Sequence, residues 1–290
     1  MRLLLKFNLV FAAVLLTGPG ATAYVSWNVL QRNAQQEIAQ DARLLMESAI
    51  GQRNHTVSQV KPLLEIQMKY FFLPQTVPAY AATEVFADLR QRFPEFSYKE
   101  ATLNPTNPRD RALDWKTDII QLFRNDLANV EVTGERETPT GRPFYVARPL
   151  RIDAPACLAC HSTVDAAPAT LIAQYGSANG FGWKLNDIIG AQVISVPTAV
   201  PIRRATAAFR RFMPSVAAVF VISGGALNLM LWRIVIRPVS KLSALANRVS
   251  TGDLAAPPFA VSSQDEIAEL AESFTRMRKS VEHAMKMLGV

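Results

Sequence analysis

The chain has 290 residues, 49% of them hydrophobic, and a formal net charge of +7. That length leaves room for one domain of ordinary size plus membrane segments and a small accessory module, and it excludes a large multidomain enzyme. Lys and Arg are scattered among acids except beside two long apolar runs, so there is no basic, aromatic-interleaved surface and no nucleic-acid partner is expected.

Arg2 and Lys6 precede an apolar stretch at residues 7–27, interrupted by Asn8, Thr17, Thr22, Ser26 and Gly18-Pro19-Gly20. Its length suffices for a membrane span, here designated the first span, with residues 1–6 as a cytoplasmic N-terminus. A cleaved signal peptide, with Ala21-Thr22-Ala23 as the small-residue cleavage site, is the alternative reading. A second run, residues 213–232, holds no charge and is bracketed by Arg210 and Arg211 before it and Arg233 and Arg237 after it. Residues 213–236 are therefore read as the second span, returning the chain to the cytoplasm.

Residues 28–212 form the intervening, extracytoplasmic domain. Residues 28–64 carry Leu30, Ile38, Leu45, Met46, Val57 and Val60 at roughly helical spacing and continue directly from the first span. Residues 76–93 give a second helical pattern. Four short β-rich runs follow, at 96–103, 130–133, 144–152 and 190–196, separated by Asn, Pro and Gly turns. Helices packed on a small antiparallel sheet predict an α+β domain.

The chemistry is carried by Cys157-Leu158-Ala159-Cys160-His161. These are the only two cysteines, so both require one explanation. The spacing is that of c-type haem attachment: two thiols reach the two vinyl groups of one porphyrin, and the adjacent imidazole of His161 becomes the proximal iron ligand. A thioredoxin-like dithiol would need a βαβ pattern that is missing. A structural zinc site would need a fourth ligand, and His55 and His283 are the only other histidines. No Ser-His-Asp set, paired catalytic carboxylates or phosphate-binding Gly loop is present, so no enzymatic activity is expected.

Residues 96–108 (FSYKEATLNPTNP), Asp114-Trp115, residues 145–150 (YVARPL), the 157–161 motif and residues 175–190 with Gly180-Phe181-Gly182-Trp183-Lys184 together resemble the bacterial c-type haem sensor family with a PAS-like extracytoplasmic domain. The likeness covers roughly residues 35–200 and implies a PAS-like domain carrying covalent haem c. In members of that family with a thiolate as sixth iron ligand, the cysteine falls around Thr76 and Val77, neither of which ligates iron well. His55, Met46 and Met68 are the remaining candidates, since imidazole and thioether are usual axial partners. Met46 and His55 are about half a turn out of phase at ~100° per residue. Periodicity makes Met46 a core residue and His55 a solvated one, while the sharper reading has the sixth position vacant or weakly held by His55, the distal candidate, leaving room for a small gas ligand.

Beyond the second span, residues 237–290 read as cytoplasmic. Val239, Leu242, Ala246 and Val249 form one heptad seam, and Ile267, Leu270, Phe274, Met277, Val281, Ala284 and Leu288 form another. Pro238, the Gly252-Asp253-Leu254 turn and Asp265-Glu266-Ile267 resemble a HAMP module, which implies an α-helical coiled coil and a homodimer. No kinase, cyclase or methyl-accepting domain follows, so output is expected from an unidentified cytoplasmic partner or from a longer receptor. The whole reads as a haem sensor of the bacterial inner membrane, with its haem domain in the periplasm. The alternative is a membrane-anchored c-type cytochrome relaying electrons to a membrane oxidoreductase, for which helices would be anchors alone.

Overall fold

A computed structural model describes residues 3–139, 141–253, 256–257 and 264–287. The chain divides into two compact units, residues 28–207 and residues 1–27 together with 208–290.

In the first unit, helix α1 (Leu3–His55) supplies its C-terminal half. Ile38, Ala42, Met46 and Ala49 recur at steps of three and four, and all four are buried. A π turn, Thr56–Val60, then leads into the short helices α2 (Lys61–Leu63) and α3 (Glu65–Met68). Pro62 lies two residues beyond it: a proline has no N–H to donate, and its ring crowds the carbonyl four residues back, which the wider turn accommodates, whereas Pro19 sits in regular helix. Val77 is extended (φ −91°, ψ 119°) before Pro78 opens α4 (Pro78–Arg92), as the steric demand of a following proline dictates.

Four antiparallel strands follow: β1 (Ser97–Thr102), β2 (Val132–Glu135), β3 (Phe144–Arg151) and β4 (Ile188–Val196), in the order β1-β4-β3-β2. Register pairs Tyr98 with Ile194, Glu100 with Gln192, and Val146 with Ile194. Side chains alternate between faces. Tyr98, Val146, Ile194 and Val196 pack with Met46, Ala49, Ala82 and Phe86 of α1 and α4. Ala101, Ala147, Ala191 and Val193 pack on the other face against Ile119, Ile120 and Phe123 of α5 (Trp115–Asn125). Both faces are covered, which is why the central strand β4 is apolar almost throughout. Arg148 on β3 bonds Glu47 of α1 at 2.6 Å and Glu131 at 3.1 Å, fastening the long helix to the sheet.

The mixed helix and sheet composition agrees with the sequence reading, and the four strands fall on the expected runs with β2 two residues later. Helix α5 was not anticipated. Its buried stripe is three residues long, and it emerges from a turn in which Asp114 takes φ 50°.

The second unit holds the N-terminal half of α1 and most of α8 (Ala199–Leu231), whose apolar stretches are each long enough to cross a membrane. The two helices approach closely. A Cβ at Gly18 would meet the Phe220 ring at 2.6 Å, and one at Gly224 would meet Leu15 at 3.0 Å. Asn228 donates to Asn8 Oδ1 at 2.9 Å, and Trp27 meets Phe209 edge-on at 5.2 Å. A second π turn, Trp232–Ile236, ends two residues before Pro238, repeating the relation of the first π turn to Pro62. Helices α9 (Arg237–Ser250) and α10 (Glu266–Met287) pack together. Gly252 takes φ +96°, a conformation suited to glycine, and Arg248 pairs with Asp253 across that turn. Leu242 and Val249 of the first seam are buried, whereas Leu270, Met277 and Val281 of the second are exposed. Arg2, Leu254, Leu288 and the last residue, Val290, lie outside the described residues.

Met46 is fully buried in the core and His55 is exposed, as their periodicity requires. Met46→Ala is expected to cost about 2–5 kcal/mol in denaturant unfolding, whereas His55→Ala stays within about 0.5 kcal/mol.

Candidate functional site

A 3₁₀ turn, Pro155–Cys157, runs into a single helical turn, α6 (Leu158–His161). Cys157 and Cys160 are three residues apart on that turn and therefore share a side, with His161 adjacent. Both thiols are free and half-buried. Burial pushes the Cys160 thiol up, while the nearby Lys61 ammonium opposes the shift.

The His161 ring is held on two sides. Trp183 stacks on it with centroids 4.0 Å apart and planes 18° apart. Its Nδ1 lies 2.8 Å from the Gly180 carbonyl oxygen. A carbonyl only accepts, so Nδ1 carries the proton and Nε2 keeps its lone pair. Burial lowers the His161 pKa although the Gly180 bond opposes this, and the ring is a neutral imidazole. A ring nitrogen tied to a backbone carbonyl, with the other left unprotonated, is the arrangement that prepares a histidine to ligate iron.

The loop holding this ring is itself built. Asn104, just past β1, accepts from the Gly180 N–H at 3.2 Å and donates to the Phe181 carbonyl at 3.3 Å. Gly180 takes φ +86°, and a Cβ there would collide with Thr106. Trp183 and Gly182 donate to the carbonyls of His161 and Ser162 at 3.1 and 2.9 Å. Helix α7 (Ala169–Tyr175) follows the motif, and Tyr175 receives the edge of Phe72 at 5.4 Å.

A buried polar chain runs beside the motif. Arg53, near the end of α1, forms an ion pair with Glu100 of β1. Tyr98 donates to Glu100 at 2.6 Å, and Gln192 of β4 donates to the Tyr98 oxygen at 3.1 Å. Burial and then Glu100 push the Tyr98 phenol far up, so it remains a neutral donor. Burial works against the Arg53 cation, but Glu100 and Tyr98 outweigh it and the net shift is upward, with Cys157 close enough to contribute.

Cys157, Cys160 and His161 are thus brought together, while His55 is exposed one residue before the π turn. Met46 is sealed in the core and Met68 is half-buried on α3. Thr76 is buried with its hydroxyl bonded to the Leu73 carbonyl. Arg53, Lys61, Asn104 and the Gly180 carbonyl escaped the sequence reading of the site. For the last two a signal existed in the quoted Asn104–Asn107 and Gly180–Lys184 stretches. Among the described residues no three His, Cys, Asp or Glu side chains gather as a metal-ion site. The residues suit haem c, which asks of this turn two free thiols and one oriented imidazole.

Asp110 follows the Thr106 loop. Burial pushes its carboxyl up to about 6 against the pull of Arg109, and Glu100 adds to the rise. A raised folded-state value means stability present below the ordinary value of 3.8 and lost as pH rises to about 6. Asp110→Asn should remove that loss. Its denaturant midpoint, relative to the parent protein, is expected to improve from pH 4 to pH 7.

The Tll0287-like family profile matches residues 31–197 and the HAMP domain profile matches residues 230–283. No curated protein sequence matches the chain. Among solved structures it is similar to the cyanobacterial heme-protein Tll0287, at 16% identity and a TM-score of 0.44 over 56% of this chain and 95% of that one. With more than half of its length matched, the protein belongs to the Tll0287-like family and carries a HAMP domain after the family's domain.

Proposed function

We propose that the protein is a membrane-anchored haem c sensor that conveys the state of its haem through the HAMP domain to a partner output protein. The observation that carries this reading is His161, its Nδ1 committed to Gly180 and its Nε2 free, on the same helical turn as two free thiols. Cys157 and Cys160 would form the thioethers and His161 the proximal bond. Bound there, the haem supplies an iron centre that changes oxidation state or takes up a small gas. Trp183 and Gly180 fix the imidazole plane, and Asn104 keeps the Gly180 carbonyl in place. The HAMP domain favours a signalling, non-enzymatic role over an electron carrier, which needs an anchor but no signal-converting module.

The antiparallel sheet, with its first strand beside its last, supports a PAS-like domain. Two apolar helices and the HAMP domain support an inner-membrane protein with residues 28–212 in the periplasm and residues 237–290 in the cytoplasm. The exposed Leu270, Met277 and Val281 stripe supports a homodimer, because an apolar stripe at heptad spacing calls for a facing helix.

Produced with a haem c maturation system, the full chain should retain haem under denaturing electrophoresis. Cys157→Ser or Cys160→Ser should leave one thioether, the double variant none, and His161→Ala should keep the link while changing the iron spin state. Loss of all haem from the unsubstituted chain on denaturation would refute the covalent reading. CO added to the reduced protein and to His55→Ala separates the versions: six-coordinate spectra unmoved by CO in both would leave a redox sensor.

Cysteines placed at Ile267 or Leu270 should cross-link between subunits more than one placed at Glu269. Equal cross-linking at all three sites would count against the dimeric HAMP arrangement.

A further inference from the structure

Arginines gather where the two long helices leave their apolar stretches toward the domain, and no acid accompanies them. Arg32 lies five residues beyond Trp27 on α1, and Arg203, Arg204, Arg210 and Arg211 lie on α8 ahead of its apolar run. Residues 1–36 and 188–252 contain no Asp or Glu. All five arginines are exposed. Among the described residues none of the five takes part in an ion pair. Four exposed like charges on one helix, with no acid there to answer them, repel one another, and anions from outside the chain relieve that repulsion. Nor do these charges serve to orient the span, since the bias that sets topology puts positive residues on the other side.

Helical phase puts the four α8 arginines on one side. Arg203 and Arg210 are seven residues apart, close to two turns, as are Arg204 and Arg211, so they form two neighbouring columns. The other side of the helix is occupied by its own chain: Ile202 packs on a core cluster, Ala205 is buried, and Phe209 meets the Trp27 ring edge-on. Trp27 ends the first apolar stretch, and an aromatic ring at the end of a span stands at headgroup level. Arg210 and Arg211 follow Phe209 directly and share that level, and Arg203 and Arg204 lie about 10 Å farther out along the helix axis. We propose that Arg203, Arg204, Arg210 and Arg211 form a binding surface for anionic phospholipid headgroups at the domain-side face of the membrane. Guanidinium groups pair with phosphate oxygens through two parallel N–H bonds, and their aliphatic stems lie along apolar surface while the charged ends reach the phosphate layer. The occupant is lipid rather than soluble phosphate because the columns begin beside Trp27 and Phe209, where headgroups stand. Since α8 leads through the second π turn to α9, the surface fastens the outer end of the helix that enters the HAMP domain.

The inference rests on the reading of the two apolar helices as membrane spans, and its test separates the two. The full chain is reconstituted in nanodiscs holding equal amounts of phosphatidylglycerol and phosphatidylcholine, and the lipids it retains are counted by native mass spectrometry. Each basic side chain at an anionic surface contributes about a fivefold preference, so the parent should retain the anionic lipid at least about tenfold over the neutral one. Arg203→Gln, Arg204→Gln, Arg210→Gln and Arg211→Gln combined should lower that ratio at least about fivefold, whereas Lys at the same four positions should preserve most of it. In an Arg233→Gln, Arg237→Gln variant, altered at the opposite end of the span, most of the preference should remain. Equal retention of the two lipids by the parent would overturn the proposal, as would an unchanged ratio in the four-Gln variant or loss of the whole preference in the Arg233, Arg237 variant. An equal loss with Lys and with Gln would mark a structural role for the arginines and also overturn it. Release of the anionic lipid by millimolar inorganic phosphate, but not by chloride at the same ionic strength, would make soluble phosphate the ligand and overturn it too. A chain that alkaline carbonate washes off vesicles would overturn the spanning reading and this one with it.

Discussion

A carboxylate that is 1% exposed on an edge strand, beneath α1, is the constraint on which much of this domain depends. Glu100 cannot be left without partners, since an unpaired buried charge costs several kcal/mol. It is met by Arg53 from α1 and by Tyr98 from its own strand, and Gln192 of β4 completes the chain through the Tyr98 oxygen. One group thereby fixes the end of the long helix against β1 and ties β1 to β4. Replacing the whole set with apolar residues of similar volume could be nearly neutral for stability. The polar set ties the end of α1 to β1 through directional bonds.

Around that fixed point the motif needs few further devices. One helical turn places the two thiols and the imidazole, and the rest of the site orients a single ring. Asn104 and Gly180 do this with backbone and amide groups rather than charges. A neutral acceptor on Nδ1 leaves the imidazole uncharged, whereas a carboxylate there would draw it toward the protonated form.

Both long helices widen into a π turn two residues before a proline, at Pro62 and at Pro238. Each proline leaves a missing donor and a crowded carbonyl that the wider turn accommodates, although Pro19 and Pro214 are carried in regular helix. The consequence is that each helix carries a segment with altered hydrogen bonding where it leaves its apolar or core-packed stretch, one beside the motif and one at the entry to the HAMP domain. These are the points at which a helix can change its rotation with least loss of regular hydrogen bonding. Their positions suit the sensor reading better than that of an anchored carrier.

The sequence by itself determined whatever depends on spacing along one segment. The 157–161 motif is chemistry within a single turn, the apolar runs declare their length, and the contrast between Met46 in the core and His55 in solvent follows from helical phase. The family likeness was legible because its motifs are long and contiguous. The tertiary structure alone decided which groups meet across the chain. His161 finds its carbonyl acceptor 19 residues away, Gly180 finds Asn104 at a separation of 76, and Arg53 finds Glu100 at 47. Those meetings depend on the register of β1 against β4 and on the path of α1 over the sheet. Residue spacing carries no information about either, because many registers satisfy the same alternation, and burial of specific polar groups selects one of them.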